Sequence, residues 1–156
     1  MEVQSSSLGY SIWVTFYYLY KKMKYFTIQE LTKSTTAIRK GIDNQPTEEA
    51  EKNLKALVEN ILDPLREAWG RPIIVSSAYR CEALNKSVGG SKTSQHMTGE
   101  AADIRTMTDT KEDNERLYNL IKDLNLPVDQ CINEYDFDWI HVSYSKKNRR
   151  QYFSIK

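Results

Sequence analysis

From Leu54 to Trp69, apolar side chains recur at three- and four-residue steps: Leu54, Leu57, Val58, Ile61, Leu62, Leu65, Ala68 and Trp69. That spacing follows the 3.6-residue period of an α-helix, and a stripe so continuous is satisfied only against a hydrophobic core. Thr47 is placed to cap the helix, and Glu48 and Glu49 put negative charge in its first turn, where the helix dipole favours it. Gly70 ends the pattern, and Pro64 inside it predicts a bend. A stripe of this kind is core, not a cofactor box.

Weaker signals place the other elements. Phe26 to Leu31 reads as a capped helical turn, with Thr27 as N-cap and Glu30 three residues on. Residues 32–46 are polar and end in Asp43-Asn44-Gln45-Pro46, a loop signal. A short strand is predicted over Pro72 to Ser76, a loop over Asn85 to Thr93 with Gly89-Gly90, and a strand over Ala101 to Ile104. A second helix is predicted from about Thr110 to Leu124, turning Leu117, Leu120, Ile121 and Leu124 inward. Val128 to Glu134 and Trp139 to Tyr144 read as strands joined by the tight connection Tyr135-Asp136-Phe137-Asp138, and Tyr152 to Ile155 as an edge strand. Helices and antiparallel strands segregate, so the predicted class is α+β, a small antiparallel sheet flanked by helices.

The 156 residues match one ordinary domain, and 40% hydrophobic with 28% charged side chains excludes a disordered or collagen-like chain. Twenty-two basic against twenty-one acidic groups leave +1, without the basic excess of a nucleic-acid binder. The late cluster Lys146, Lys147, Arg149 and Arg150 reads as a solvated face. Cys81 and Cys131 form no CxxC pair, so a thiolate zinc site is excluded; one bridge between them is possible, and two buried thiols are the simpler reading. Leu8 to Tyr20 carries no charge, yet it is too short and too rich in tyrosine for a membrane span. Residues 1–24 therefore read as a hydrophobic extension, either an interfacial segment or a stretch upstream of a useful start at Met23, and residues 25–156 as the domain. No convincing secretory leader is read there, so synthesis in the cytoplasm is expected.

The chain has two histidines, His96 and His141. His96 lies in Ser94-Gln95-His96-Met97-Thr98-Gly99-Glu100-Ala101-Ala102-Asp103, where Gly99 permits a sharp turn and a following strand carries Ala101 and Asp103 on one face. His141 sits mid-strand, sharing a face with Trp139 and Ser143. Two imidazoles and one carboxylate suit Zn²⁺, and three protein ligands leave a position for water or substrate.

Ser-x-His-x-x-Gly-x-Ala-x-Asp, matched at Ser94, His96, Gly99, Ala101 and Asp103, resembles the signature of the zinc D-Ala-D-Ala carboxypeptidases, peptidase family M15. The likeness extends through Ser77-Ala78-Tyr79-Arg80, Asn85 and Gly89-Gly90 to Trp139-Ile140-His141-Val142-Ser143, and is strongest to small phage-endolysin domains. The resemblance implies a hedgehog/DD-peptidase fold and His96, Asp103 and His141 as ligands of Zn²⁺. It also implies that Arg80 stabilises the oxyanion or binds the substrate carbonyl, and that an acid ahead of the last histidine is the general base. A monomeric peptidase would then cut peptidoglycan stem peptides at D-Ala-D-Ala or L-Ala-D-Glu, reaching the wall after release from the cytoplasm. A zinc-binding recognition module without turnover is the alternative, and a plain structural domain the third reading.

Arg80 could equally pair with an acid. Ser94 reads as a hydrogen-bonding residue, and Glu82, Glu100 and Asp136 as surface charges. Two acids compete for the base. Asp138 stands three residues before His141, as in the vancomycin-resistance dipeptidases and some endolysins; Glu134 stands seven before, near the six of hedgehog-type members. A hairpin would bring Glu134 beside His141, whereas Asp138 sits at an odd offset that turns it to the other face. Glu134 is therefore placed first and Asp138 second.

Overall fold

The computed structural model describes residues 23–156, so the hydrophobic run read in residues 1–22 lies outside the described residues. The elements run α1 (Ile28–Thr32), α2 (Thr35–Lys40), α3 (Glu48–Leu57), a π turn (Val58–Leu62), α4 (Asp63–Trp69), β1 (Ile73–Ser77) and α5 (Glu82–Ser87). A 3-10 turn (Gln95–Thr98), β2 (Ala101–Thr106), α6 (Lys111–Asp123), β3 (Gln130–Glu134), β4 (Trp139–Ser143) and β5 (Gln151–Ile155) follow. Four helices begin by one device: Thr27, Ser34, Thr47 and Thr110 hold extended backbone and accept the N–H three residues on.

Two helices replace expected loops. In α2 only Ala37 is buried, so no apolar period announces the helix; Ser34 and the left-handed Gly41 define its ends. In α5, Leu84 and Asn85 turn inward and the preceding Cys81 makes no side-chain cap. At Pro64 the backbone remains helical. The backbone widens into the π turn just ahead of it, which accommodates a ring that would otherwise collide with a preceding carbonyl.

Along the stripe, Leu54, Leu57, Val58, Ile61, Leu62 and Leu65 are fully buried. They pack with Leu117 and Ile121 of α6 against Ala102, Ile104, Ile140 and Val142 of the sheet. Ala68 and Leu124, read as inward, are exposed, each in or just past the final turn of its helix, beyond the core. Of the two thiols, Cys131 is buried and Cys81 only partly so; both are free.

Five strands stand in the order β1-β2-β4-β3-β5. The first three pairings in that order are antiparallel, but β5 runs parallel to β3, so the sheet is mixed rather than wholly antiparallel. Residues 144–150 step over the start of β3 and deliver β5 to its outer side. The class is α+β, as predicted. Strand alternation then decides the site: Ala102, Ile104, Ile140 and Val142 face the helices, so Asp103 and His141 must point from the opposite face.

Candidate metal centre and its cleft

Asp103 and His141 are register partners on β2 and β4, which sets their side chains next to each other on rigid backbone. His96 arrives from the 3-10 turn. Ser94 caps that turn by accepting the His96 N–H, and Gly99 closes it at φ 74°. A side chain at Gly99 would place its Cβ 2.3 Å from the Ala50 carbonyl oxygen, so glycine lets the turn pack directly on α3.

All three side chains are buried, and their ligand atoms lie within 4.8 Å of one another. His96 Nε2 stands 3.2 Å and His141 Nδ1 3.1 Å from the same atom, Asp103 Oδ1. The other His96 nitrogen, Nδ1, is 2.6 Å from the Ala78 carbonyl oxygen. A carbonyl only accepts, so Nδ1 carries the hydrogen. With Nδ1 committed to that carbonyl, Nε2 is the His96 nitrogen that faces the carboxylate. Two imidazole nitrogens and a carboxylate oxygen brought this close together form a donor set that fits a divalent metal such as zinc. Burial pushes the Asp103 carboxyl up, but His96 and His141 outweigh it and hold the group well below the usual carboxylate range.

Arg80 donates from Nη2 to Asp103 Oδ2 at 2.9 Å, from Nε to Ser77 Oγ at 2.8 Å and from Nη1 to Asn85 Oδ1 at 3.4 Å. By taking Oδ2 it turns Oδ1 towards both imidazoles, and two of its five N–H groups remain for a substrate. The ion pair therefore does not exhaust the donors of Arg80. Asn85, expected in a loop, is a buried helical residue whose Nδ2 donates to the Ser91 carbonyl. The signal for it was Gly90, where a Cβ would fall 2.0 Å from Asn85 Oδ1.

The acids separate clearly. Glu134 is half-buried and lines the same cleft as the cluster, a cavity of about 1010 Å³. Ile132 is the register partner of His141, so Glu134 comes two residues further along the same face. Burial, and then the negative charge of Asp103, push its carboxyl up. Asp138 is exposed, stands 3.6 Å from Lys111, and borders a separate pocket of about 280 Å³ with Arg105 and Asp109. Glu82 and Asp136 are exposed, while Glu100 is half-buried and accepts from Thr98.

Sequence reasoning passed over Asp129. It is fully buried at the mouth of β3 and receives Arg149 Nε, Nη2 and N at 2.7–2.9 Å and Gln95 Nε2 at 2.8 Å. Arg149 is therefore a structural partner and not merely part of a solvated basic face. The pair ties the 144–150 connection to the residue next to His96.

A family model described as Peptidase M15 matches residues 24–143. None of the curated proteins compared matches the chain. Among the described residues, no helix is long and apolar enough to cross a membrane.

Proposed function

This chain belongs to the peptidase M15 family, and from that membership we propose that it is a zinc metallopeptidase hydrolysing the stem peptides of peptidoglycan. The observation that carries the reading is the convergence of His96, Asp103 and His141 on one point in a cleft of about 1010 Å³. A zinc ion held by these three residues would act as a Lewis acid, polarising a carbonyl and making water a nucleophile near neutral pH.

The chain's own groups do the rest. Glu134 takes a proton from the attacking water and hands it to the leaving amine nitrogen, and its raised pKa suits a group that must do both. Arg80 offers its remaining N–H groups to the oxygen on which negative charge develops. The Ala78 carbonyl and Arg80 itself hold His96 and Asp103 in place, so little reorganisation accompanies the reaction.

Metal analysis of the purified protein, followed by digestion of purified cell wall and mass measurement of the fragments, tests this. Stoichiometric zinc and released peptides are expected, and the masses identify the bond cut. A zinc-loaded protein that releases no peptide would overturn the proposal.

A further inference from the structure

Four cations line the cleft: Lys33, Arg80, Lys147 and Arg149. Two are committed within the protein, Arg80 to Asp103 and Arg149 to Asp129. Lys33 forms no ion pair among the described residues, and the cleft lining there also carries an acid, Glu30, three residues before it. Lys147 also forms none among them, and Asp129, the buried acid that anchors its loop from the start of β3, is saturated by Arg149 and Gln95.

The loop carrying Lys147 is held firmly. Ser145 Oγ accepts the Lys147 N–H at 3.2 Å, the Ser145 carbonyl accepts from Asn148 at 3.1 Å, and Asp129 receives the backbone N–H groups of Arg149 and Gln151. Asn148 and Arg150 take left-handed backbone at φ 42° and 56°, conformations that persist where surrounding bonds enforce them. An exposed lysine on a fixed turn, at the edge of a cleft and without an internal partner, is poised for an anion from outside. The backbone of the turn is already ordered, so a charge-assisted hydrogen bond there has only the lysine side chain left to order.

We propose that Lys147 binds a carboxylate of the substrate, so that the cleft selects an acidic peptide with its carboxylate on the side of the metal cluster nearest the β4–β5 connection. This rests on the peptidase reading of the same cleft. In a stem peptide the carboxylate has two sources: the free α-carboxylate of a γ-linked D-glutamate, or the terminal carboxylate of the last D-alanine.

The test is calorimetric binding to the metal-free full chain, where no turnover intervenes. Three versions of an L-Ala-γ-D-Glu-L-Lys-D-Ala-D-Ala peptide are compared: fully acidic, amidated at D-glutamate, and amidated at the C-terminus. The acidic peptide should bind roughly tenfold tighter than one of the amides, and the amide that loses identifies the source. Lys147→Ala should abolish that preference, Lys147→Arg should restore it, and Lys146→Ala, which removes the same charge from outside the cleft, should leave it intact. Equal binding of acid and both amides, no binding of the acidic peptide at millimolar concentration, a preference surviving Lys147→Ala, or an equal loss in Lys146→Ala would each overturn the inference. Peptide release from cell wall by the zinc-loaded chain is scored separately: its absence with the preference intact would sink the peptidase reading and spare this one.

Discussion

At Gly99, a left-handed φ and a close approach to the Ala50 carbonyl coincide, and either alone would disfavour a side chain. Gly99→Ala is expected to destabilise the fold by about 2 kcal/mol, the middle of the range for strained backbone with a clash added. It should also weaken metal binding, because the turn it closes carries His96. A urea midpoint indistinguishable from that of the natural chain would show that the turn relaxes freely. The choice of base belongs to the same scale. Glu134→Gln should keep zinc and lose about 10²–10⁴-fold in turnover, the range for a positioned general base. Asp138→Asn, changed outside the cleft, should keep both. Activity lost in Asp138→Asn and retained in Glu134→Gln would reverse the assignment.

The elements show why parts of this molecule were legible from its residues and others were not. The 54–65 stripe, the Thr27 and Thr47 caps and the strand alternation around Asp103 and His141 act through near neighbours, so their pattern survives in one dimension. The helix at Thr35–Lys40 has a single buried side chain, and the one at Glu82–Ser87 has two. Neither leaves a period to read. Asp129 was invisible for a different reason: its partners Gln95 and Arg149 lie 34 and 20 residues away, and only the step over β3 brings them together. That junction carries its own pH dependence. Side-chain hydrogen bonds from Arg149 hold the Asp129 carboxyl well below the usual carboxylate range, against the opposing effect of burial. A depressed folded-state pKa means that the stabilisation is fully present above the unfolded value near ~3.9 and is lost as pH falls through the folded one. Asp129→Asn should therefore cost about 3 kcal/mol at neutral pH, the lower end for breaking a buried pair because Arg149 is partly exposed. Melting curves between pH 5 and pH 2 should also be flatter in the variant than in the natural chain. An unchanged acid slope would remove Asp129 from the account.

For the molecule as a whole, the question is which bodies the three ligands join. β2 and β4 are already tied by their own ladder, so a metal between Asp103 and His141 adds little to that link. The 3-10 turn is held otherwise, by Arg80 N–H to the His96 carbonyl at 3.1 Å and by Asn53 Nδ2 to the Thr98 carbonyl at 2.9 Å. A metal that adds His96 to the other two ligands would clamp the turn, and through Gly99 the start of α3, onto the sheet. Binding to the folded state alone stabilises by about 4 kcal/mol at a thousandfold excess over Kd, which for a chain of this size corresponds to a rise of roughly 10 °C in Tm. A chelator should therefore lower Tm by about that much. Amide exchange should quicken first at residues 96–99 and least in α6, whose Leu117 and Ile121 belong to the core on the opposite face. His96→Ala, Asp103→Ala and His141→Ala should each lose most of the zinc, since three ligands leave none to spare, and should melt at the same temperature with or without chelator. If a protein carrying stoichiometric zinc keeps its Tm and its exchange pattern when the metal is stripped, the ion is bound somewhere other than between the turn and the sheet.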